Sequence, residues 1–476
     1  MTSNYATPSD MSETSAAIDL CWTAARLAHA SQGQWIGGQP NLSAHPRIVT
    51  DTRQVQAGDV FLALAGERFD AHDFVAQAAA SGAVAAIVSR LGDANLPQLL
   101  VDDTRLALGR LGQAQRQAMP MLQVAAMTGS SGKTTTKQML GSILSLSAPI
   151  LMTRGNLNND LGVPMMLLEL EAKQQYAVME LGANHVGEIA YTTALVQPQV
   201  AGVLNIGTAH VGEFGGRDGI ARAKSEIFSG LPADGVAVLP VDGEFIEVVA
   251  AAAAPYQQIR FGTGGEVWAE AVELLADRCR FILCTATQQC AVELPFAGAH
   301  NIDNALAAAA FALAFDIPVT QIAQGLSQAS NIKGRLAFIR RDALTLIDDT
   351  YNANPHSMRA AAQVLCAQAG LRVMLTGDIG ELGEIASQEH YALGAALALL
   401  PIDHLLSVGQ YAPEVYAGWQ SVRATGAAAY TDKASLLQGL RAIVEPMVAQ
   451  DYPVACLFKG SRTATMETLI SDLLAG

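Results

Sequence analysis

The residues best placed to do chemistry begin with Met127-Thr128-Gly129-Ser130-Ser131-Gly132-Lys133-Thr134-Thr135, which follows an apolar run and opens a helical one. This is the setting of a phosphate-binding loop. Glycines let backbone N–H groups converge on phosphate oxygens, and the helix N-terminus adds positive potential. Lys133 would reach the β- and γ-phosphates and Thr134 would offer its hydroxyl to Mg²⁺. The first glycine of the usual pattern falls on Met127, and an ordinary Gly/Ser turn is the plainer alternative. The motif alone points to ATP or GTP.

Two further groups fall beyond apolar runs of strand character. Glu180 ends Tyr176-Ala177-Val178-Met179, and His210 follows Asn205-Ile206-Gly207-Thr208-Ala209. In an open parallel sheet ligands collect beyond the carboxyl ends of the strands, so both are candidate metal ligands beside the phosphate loop. Singly, each reads equally well as structural. Lys224 lies in a helical stretch, Asp218–Gly230, whose apolar stripe is Ile220, Ala223, Ile227 and Phe228. At 100° per residue Lys224 projects inside that stripe, with Arg222 and Glu226 opposite. An inward lysine needs a partner or a changed charge state, unless it snorkels to the rim.

Asn301 and Asn304 precede a very apolar helix and either cap it or read the edge of a nucleobase. Asp348-Asp349-Thr350-Tyr351-Asn352-Ala353-Asn354-Pro355 packs more polar acceptors behind a strand than an Asx/Pro turn requires.

These groups need a scaffold of alternating elements. Strands are expected at Leu122–Met127, Tyr176–Glu180, Val200–Asn205 and Val236–Leu239, with helices at Lys133–Leu146 and Asp218–Gly230. That alternation predicts an α/β fold with a parallel sheet covered on both faces. Ile259–Leu294 lacks helical period and reads as an antiparallel flap. A second α/β series follows Asn331-Ile332-Lys333-Gly334, with strands at Leu344–Ile347, Val373–Leu375, Leu405–Val408 and Val454–Phe458. Its helix Ser357–Ala369 should stop on Gly370 as a C′ glycine. Ahead of both lies a smaller α/β unit with a helix at Asp19–Ala30. The resulting division is a polar tail over 1–15 and domains over 16–102, 103–334 and 335–476.

With 476 residues, half of them hydrophobic, the chain has enough apolar surface for several cores. A net charge of −15 with no Lys/Arg cluster argues against nucleic acid as a partner. No apolar run is long enough to span a membrane; the nearest, Ala305–Phe315, stops at Asp316. The first residues have neither the basic start nor the apolar stretch of a signal peptide, so a cytoplasmic protein is expected. The six cysteines form no CxxC pair. Free thiols are the better reading than a zinc set of Cys279, Cys284, Cys290 and His300.

Taken in order, the motifs resemble those of the Mur ligase family, ATP-dependent amide-forming enzymes of peptidoglycan synthesis. They are Asp51-Thr52-Arg53, the phosphate loop, Gly155-Asn156-Leu157-Asn158-Asn159, Glu180-Leu181-Gly182-Ala183-Asn184-His185, Ala221–Lys224, His300-Asn301, Gly334-Arg335, Asp349–Asn354, Gly377–Gly383 and Lys459-Gly460-Ser461-Arg462. Ala71, Asn331–Lys333 and Thr463–Thr465 depart from the usual pattern.

The resemblance implies three domains, with a P-loop ATPase-type central sheet and a Rossmann-like C-terminal domain. It implies Thr52 and Arg53 near a UDP-sugar, Asn158 and Asn159 near the muramoyl-peptide, and two Mg²⁺ held by Thr134, Glu180, His210 and a carbamylated Lys224. Asn301 would lie near adenine, Asp349 near the ribose and Arg335 near the γ-phosphate; Tyr351 and Asn354 would face the amino substrate.

The motifs fit best the family branch that joins D-alanyl-D-alanine to UDP-N-acetylmuramoyl-tripeptide, a monomer being expected. A branch adding diaminopimelate or lysine is an alternative, although no Asp-Asn-Pro-Arg string occurs. A P-loop NTPase switch is the alternative outside the family.

Overall fold

The computed structural model describes residues 20–42, 46–66, 69–207 and 216–475. The expected tail over 1–15 and His210 lie outside the described residues. By contacts the chain divides into two units, Met1–Met121 with Leu167–Lys173, and Leu122–Met166 with Gln174–Gly476.

In the first unit a five-stranded sheet runs in the order Gln34–Ile36, Gln98–Leu100, Ala85–Val88, Val60–Leu62, Ile48–Val49. Only its first pair is antiparallel. The N-terminal helix is shorter than expected, Ala24–Ser31, because the Thr23 hydroxyl accepts from Arg26 N–H and fixes the start there. The helix Thr104–Gln117, expected with the central domain, belongs to this unit. Arg26 reaches it, donating to Ala114 O and Gln115 Oε1. By contacts this unit runs on to Met121, whereas the sequence reading opens its central domain at 103.

The second unit holds two sheets. The larger has nine strands in the order Gln289–Leu294, Cys279–Thr285, Val267–Leu274, Gln257–Phe261, Val236–Pro240, Val200–Val203, Gln123–Thr128, Tyr176–Glu180, Ile150–Met152. Strands from Gln257–Phe261 to Ile150–Met152 pair in parallel, and the three from Val267 to Leu294 form the expected antiparallel flap. The helix Ala299–Leu313 crosses this sheet, buried along most of its length. It sits close because Gly202 has no side chain: a Cβ there would be 2.6 Å from the Phe311 ring. The phosphate-loop helix, Lys133–Leu144, packs into the same core through Met139, Leu140, Ile143 and Leu144.

The other sheet has six strands, Ala337–Arg341, Leu344–Asp348, Val454–Lys459, Leu371–Thr376, His404–Val408, Ala427–Tyr430, all parallel but the first pair. Val454–Lys459 enters the middle of this sheet and brings Lys459 beside Asp348-Asp349.

Two helices differ from expectation. The one expected over Asp218–Gly230 is α-helical over Arg217–Ser225 and tightens to a 3₁₀ turn over Glu226–Gly230. There Glu226 accepts from the N–H groups of Gly187 and Ala190, serving the start of the helix Glu188–Val196. The other runs Pro355–Cys366, its start set by a capping box between Asn354 and Ser357. Gly370, at φ 77, is not its C′ residue but opens the turn into Leu371–Thr376. None of the six cysteines is in a disulfide, and no described helix is long and apolar enough to cross a membrane.

Candidate active site

The phosphate loop leaves the strand Gln123–Thr128 at the carboxyl edge of the nine-stranded sheet, as its sequence setting predicts. Its shape is held from the next strand's end. Asn205 accepts from Ser131 N–H through Oδ1 (3.0 Å) and donates Nδ2–H to Ser131 O (3.1 Å), while Ser130 Oγ accepts from Gly207 N–H (2.8 Å). Gly132 has φ 78, and a Cβ on it would collide with Asn304 Oδ1. Asn304 in turn accepts from Thr136 Oγ1 and donates to Asn301 Oδ1, and Asn301 donates to Ala297 O. Neither asparagine caps the helix; together they brace the loop. Thr128 Oγ1, buried where the strand ends, has no hydrogen-bond partner among the described residues.

Glu180 is 3% exposed, which rules out a solvated strand end. Its Oε2 accepts from Thr134 Oγ1 (3.0 Å) and its Oε1 from Asn158 Nδ2 (2.9 Å). Arg335, which begins the C-terminal α/β series, donates to Thr134 Oγ1 (2.9 Å) and stacks 4.4 Å over the Tyr351 ring. Thr134, Glu180, Asn158 and Arg335 therefore meet in one cluster. Asn159 is turned to local use, its Oδ1 accepting from Gly162 N–H.

Lysines crowd this carboxylate. Lys133 Nζ donates to Gly129 O (2.7 Å). Burial lowers its pKa, with Glu180 opposing the shift and Arg335 adding to it. Lys224 is 5% exposed and points inward as the helical period predicts, with Ile220 and Ala223 in the same buried patch. Burial, and then the charge of Lys133, pushes its amine well below the ordinary lysine range. Snorkelling is excluded by that burial.

Asp349 pairs with Lys459 Nζ (2.6 Å) and accepts from Leu336 N–H. Lys459 also donates to Asn352 O (3.0 Å), so the strand Val454–Lys459 fixes the polar turn. Asn354, besides capping its helix, lies with Nδ2 3.5 Å from Ser130 O. Burial pushes His300 down to about 4, so its ring is neutral at pH 7. These groups line one cavity of about 580 Å³ that runs from Ser130–Thr135 past Asn301 and Arg335 to Asp349, Tyr351, Asn354 and Lys459.

In the first unit Thr52 and Arg53 lie in a 3₁₀ turn whose N-cap is Asp51. Arg53 is exposed and pairs with Asp51 (2.7 Å).

Family models match three consecutive stretches: the Mur ligase family catalytic domain over residues 47–127, the Mur ligase middle domain over 127–312, and the Mur ligase glutamate ligase domain over 334–462. The chain belongs to the Mur ligase family. This Mur ligase is 41% identical to the UDP-N-acetylmuramoyl-tripeptide–D-alanyl-D-alanine ligase of Escherichia coli, covering 95% of this chain and 98% of the relative. It is 33% identical to the enzyme of that name from Bacillus subtilis, again over 95% of this chain and 98% of the relative. Among solved structures, MurF from Acinetobacter baumannii matches at 54% identity with TM-score 0.92, covering 96% and 99% of the two chains. MurF from Thermotoga maritima, in complex with ADP, matches at 26% identity with TM-score 0.79, covering 90% and 97%. The three-domain Mur ligase architecture, with its phosphate-loop central sheet, is thus the fold of this chain.

Sequence reading missed Asn205, taken only as the end of a strand, and Lys137. Lys137 had a usable signal: four residues after Lys133 on one helix, it shares that residue's face.

Proposed function

We propose that this Mur ligase joins D-alanyl-D-alanine to UDP-N-acetylmuramoyl-tripeptide at the expense of ATP, giving the UDP-pentapeptide precursor of peptidoglycan in the cytoplasm. The observation that carries the reading is the meeting of Thr134, Glu180 and Arg335 at a phosphate loop, in a chain 41% identical over nearly its full length to a ligase of that name.

The donors suit a magnesium nucleotide. A threonine hydroxyl beside a carboxylate offers hard oxygens, and Lys133, Arg335 and the loop N–H groups suit a polyphosphate. Among the described residues no three His, Cys, Asp or Glu side chains form a metal cluster. On this reading the seat is completed by phosphate oxygens, by His210 and by a modified Lys224. A lysine deep in the fold with a depressed pKa presents the neutral amine that carbamylation by CO₂ requires, and the carbamate would turn that amine into an oxygen ligand. When bound, Mg²⁺ ions supply charge neutralisation on the phosphoryl oxygens.

The chain's own groups then divide the work. Residues Thr128–Thr135 cradle the phosphates, with Asn301 flanking the adenine and Asp349 the ribose. Thr52 and Arg53 take the UDP moiety, while Asn158 and Asn159 touch the muramoyl-peptide. The tripeptide carboxylate attacks the γ-phosphorus, giving an acyl phosphate and ADP, while Lys133 and Arg335 offset charge on the transferring oxygens. The amine of D-alanyl-D-alanine, placed by Tyr351 and Asn354, attacks the acyl carbon. Arg335 steadies the tetrahedral oxyanion, and phosphate leaves. An acyl phosphate is sensitive to water, which gives the C-terminal α/β series a reason to close over the loop.

The test is phosphate release from Mg-ATP in the presence of UDP-N-acetylmuramoyl-tripeptide, with and without D-alanyl-D-alanine, and with product mass recorded. Stimulation by the dipeptide and appearance of the UDP-pentapeptide are expected. Release indifferent to both substrates would overturn the reading in favour of an NTPase switch, and stimulation by a free diamino acid in favour of another branch of the family.

A further inference from the structure

Lys137 stands one turn beyond Lys133 on the phosphate-loop helix, yet it points into the protein, with its side chain 5% exposed. Its ammonium donates to Thr153 O at 2.6 Å and lies 3.6 Å from Glu180 Oε2. Thr153 follows the strand Ile150–Met152, and its Oγ1 accepts from Glu180 N–H at 2.9 Å. One ammonium therefore ties together the helix carrying Thr134, the end of a neighbouring strand and the carboxylate at the end of the next.

The arrangement fixes Glu180 from every side. Asn158 holds Oε1, Thr134 holds Oε2, Thr153 holds the backbone N–H, and Lys137 places its Nζ 3.6 Å behind Oε2. A buried carboxylate without a cation is costly, and a carboxylate side chain held by hydrogen bonds from one side alone is free to turn. Lys133 reaches the other way, its Nζ donating to Gly129 O on the loop itself.

We propose that Lys137 is a positioning residue for phosphoryl transfer, holding the Glu180 carboxylate in the orientation that presents it, beside Thr134, to a divalent cation. The inference rests on the reading of Glu180 and Thr134 as that cation's seat. Lys137 is not among the residues lining the cavity; it acts through Glu180 and Thr153.

The test measures ADP affinity by calorimetry on the full chain, once in EDTA and once in saturating Mg²⁺, for the wild type and for Lys137→Met, Lys137→Arg and Glu180→Gln. The quantity read is the gain in affinity that Mg²⁺ confers. Lys137→Met is expected to cut that gain by about 10–100-fold, as loss of an outer partner of a metal ligand does. Its ADP affinity in EDTA should stay within roughly threefold of wild type, under 1 kcal/mol. Lys137→Arg keeps the charge but displaces it, and should fall between the two with an unchanged melting temperature.

An unchanged gain in Lys137→Met would overturn the proposal, as would equal losses with and without metal, which mark a merely structural lysine. If Lys137→Met does not fold, Lys137→Arg decides alone: a gain equal to wild type refutes. If Glu180→Gln abolishes the gain while Lys137→Met keeps it, only this inference fails. If Mg²⁺ gives the wild type no gain, the cation seat itself is refuted.

Discussion

Gly132→Ala should damage the protein chiefly through Asn304, and a double-mutant cycle can show it. At φ 78 an alanine pays about 1–2 kcal/mol for the left-handed conformation alone. Its Cβ also occupies the place of Asn304 Oδ1, so the asparagine must turn away. Turning breaks two buried hydrogen bonds, from Thr136 Oγ1 and to Asn301 Oδ1. At about 1 kcal/mol net for each bond, the displacement adds about 2 kcal/mol, for a total near 3–4 kcal/mol. Asn304→Ala loses the same two bonds by itself and should cost about 2 kcal/mol. In the double variant the collision no longer exists, so Gly132→Ala should add only its backbone strain. The two changes should therefore fall short of additivity by about 2 kcal/mol. Urea unfolding followed by circular dichroism gives the four stabilities, provided the transition slope is common to all variants. Additivity to within about 0.5 kcal/mol would refute the reasoning, because it would mean that the loop moves and Asn304 does not.

Two further perturbations test the charges around the cavity. Lys224→Met should abolish ligation yet raise the melting temperature, since it removes an amine so deeply buried that its charged form is strongly disfavoured. Because the folded-state pKa of Lys224 lies below its unfolded value, the unfolded chain binds more protons between the two. Wild-type stability therefore rises with pH in that window, and the advantage of the variant should shrink by at most about 1.4 kcal/mol per pH unit in CO₂-free buffer. An advantage that grows with pH would refute the shift. Asp303 has its pKa raised from 3.8 to about 6, by burial first and by Asp242 second, although its side chain opens onto the cavity. Here the folded chain binds more protons between the two values, so stability falls as pH rises through that window. Asp303→Asn should then be the more stable at pH 7–8, by no more than about 1 kcal/mol given solvent screening, and should lose that advantage below pH 4. Melting temperatures across pH 3–8 decide it.

What the sequence disclosed was whatever a local pattern can carry. The strand–loop–helix setting of Gly129–Thr134 located the phosphate loop, and the helical period around Ile220 and Ile227 turned Lys224 inward; the structure agrees on both. Patterns were weaker where a distant residue decides the outcome. The helix ending at Ser225 tightens where Glu226 leaves to serve another helix's N-terminus, and nothing near Glu226 in sequence announces that helix. Likewise Asn158 donates to Glu180, 22 residues away, and Asn205 braces Ser131, 74 residues away. Both contacts exist because the strand order of the nine-stranded sheet brings four strand ends side by side. The amide of Asn301 was legible as a polar group at a helix start, but its partners Ala297 and Asn304 follow only from the turn that precedes the helix.

The balance of charge at this centre argues for its chemistry independently of any single motif. One buried carboxylate, Glu180, stands among Lys133, Lys137 and Arg335, with Lys224 close enough to be influenced by Lys133. A structural core would not collect cations in excess of anions, because each unpaired one costs free energy on burial. The excess has a physical use only if anions arrive to share it. A triphosphate and a carboxylate brought together repel each other in water, and the fixed cations remove that repulsion before reaction instead of leaving it to solvent reorganisation. The surrounding chain keeps this charge local: its net charge is −15, and the cations are held individually by Gly129 O, Thr153 O and Thr134 Oγ1. A switch that merely hydrolyses nucleotide needs the phosphate loop and its lysine. It has no need of a buried amine at Lys224, nor of an arginine from the C-terminal series placed against the threonine of the loop. On the proposed reading, those two features serve a reaction between two anions that an incoming amine completes.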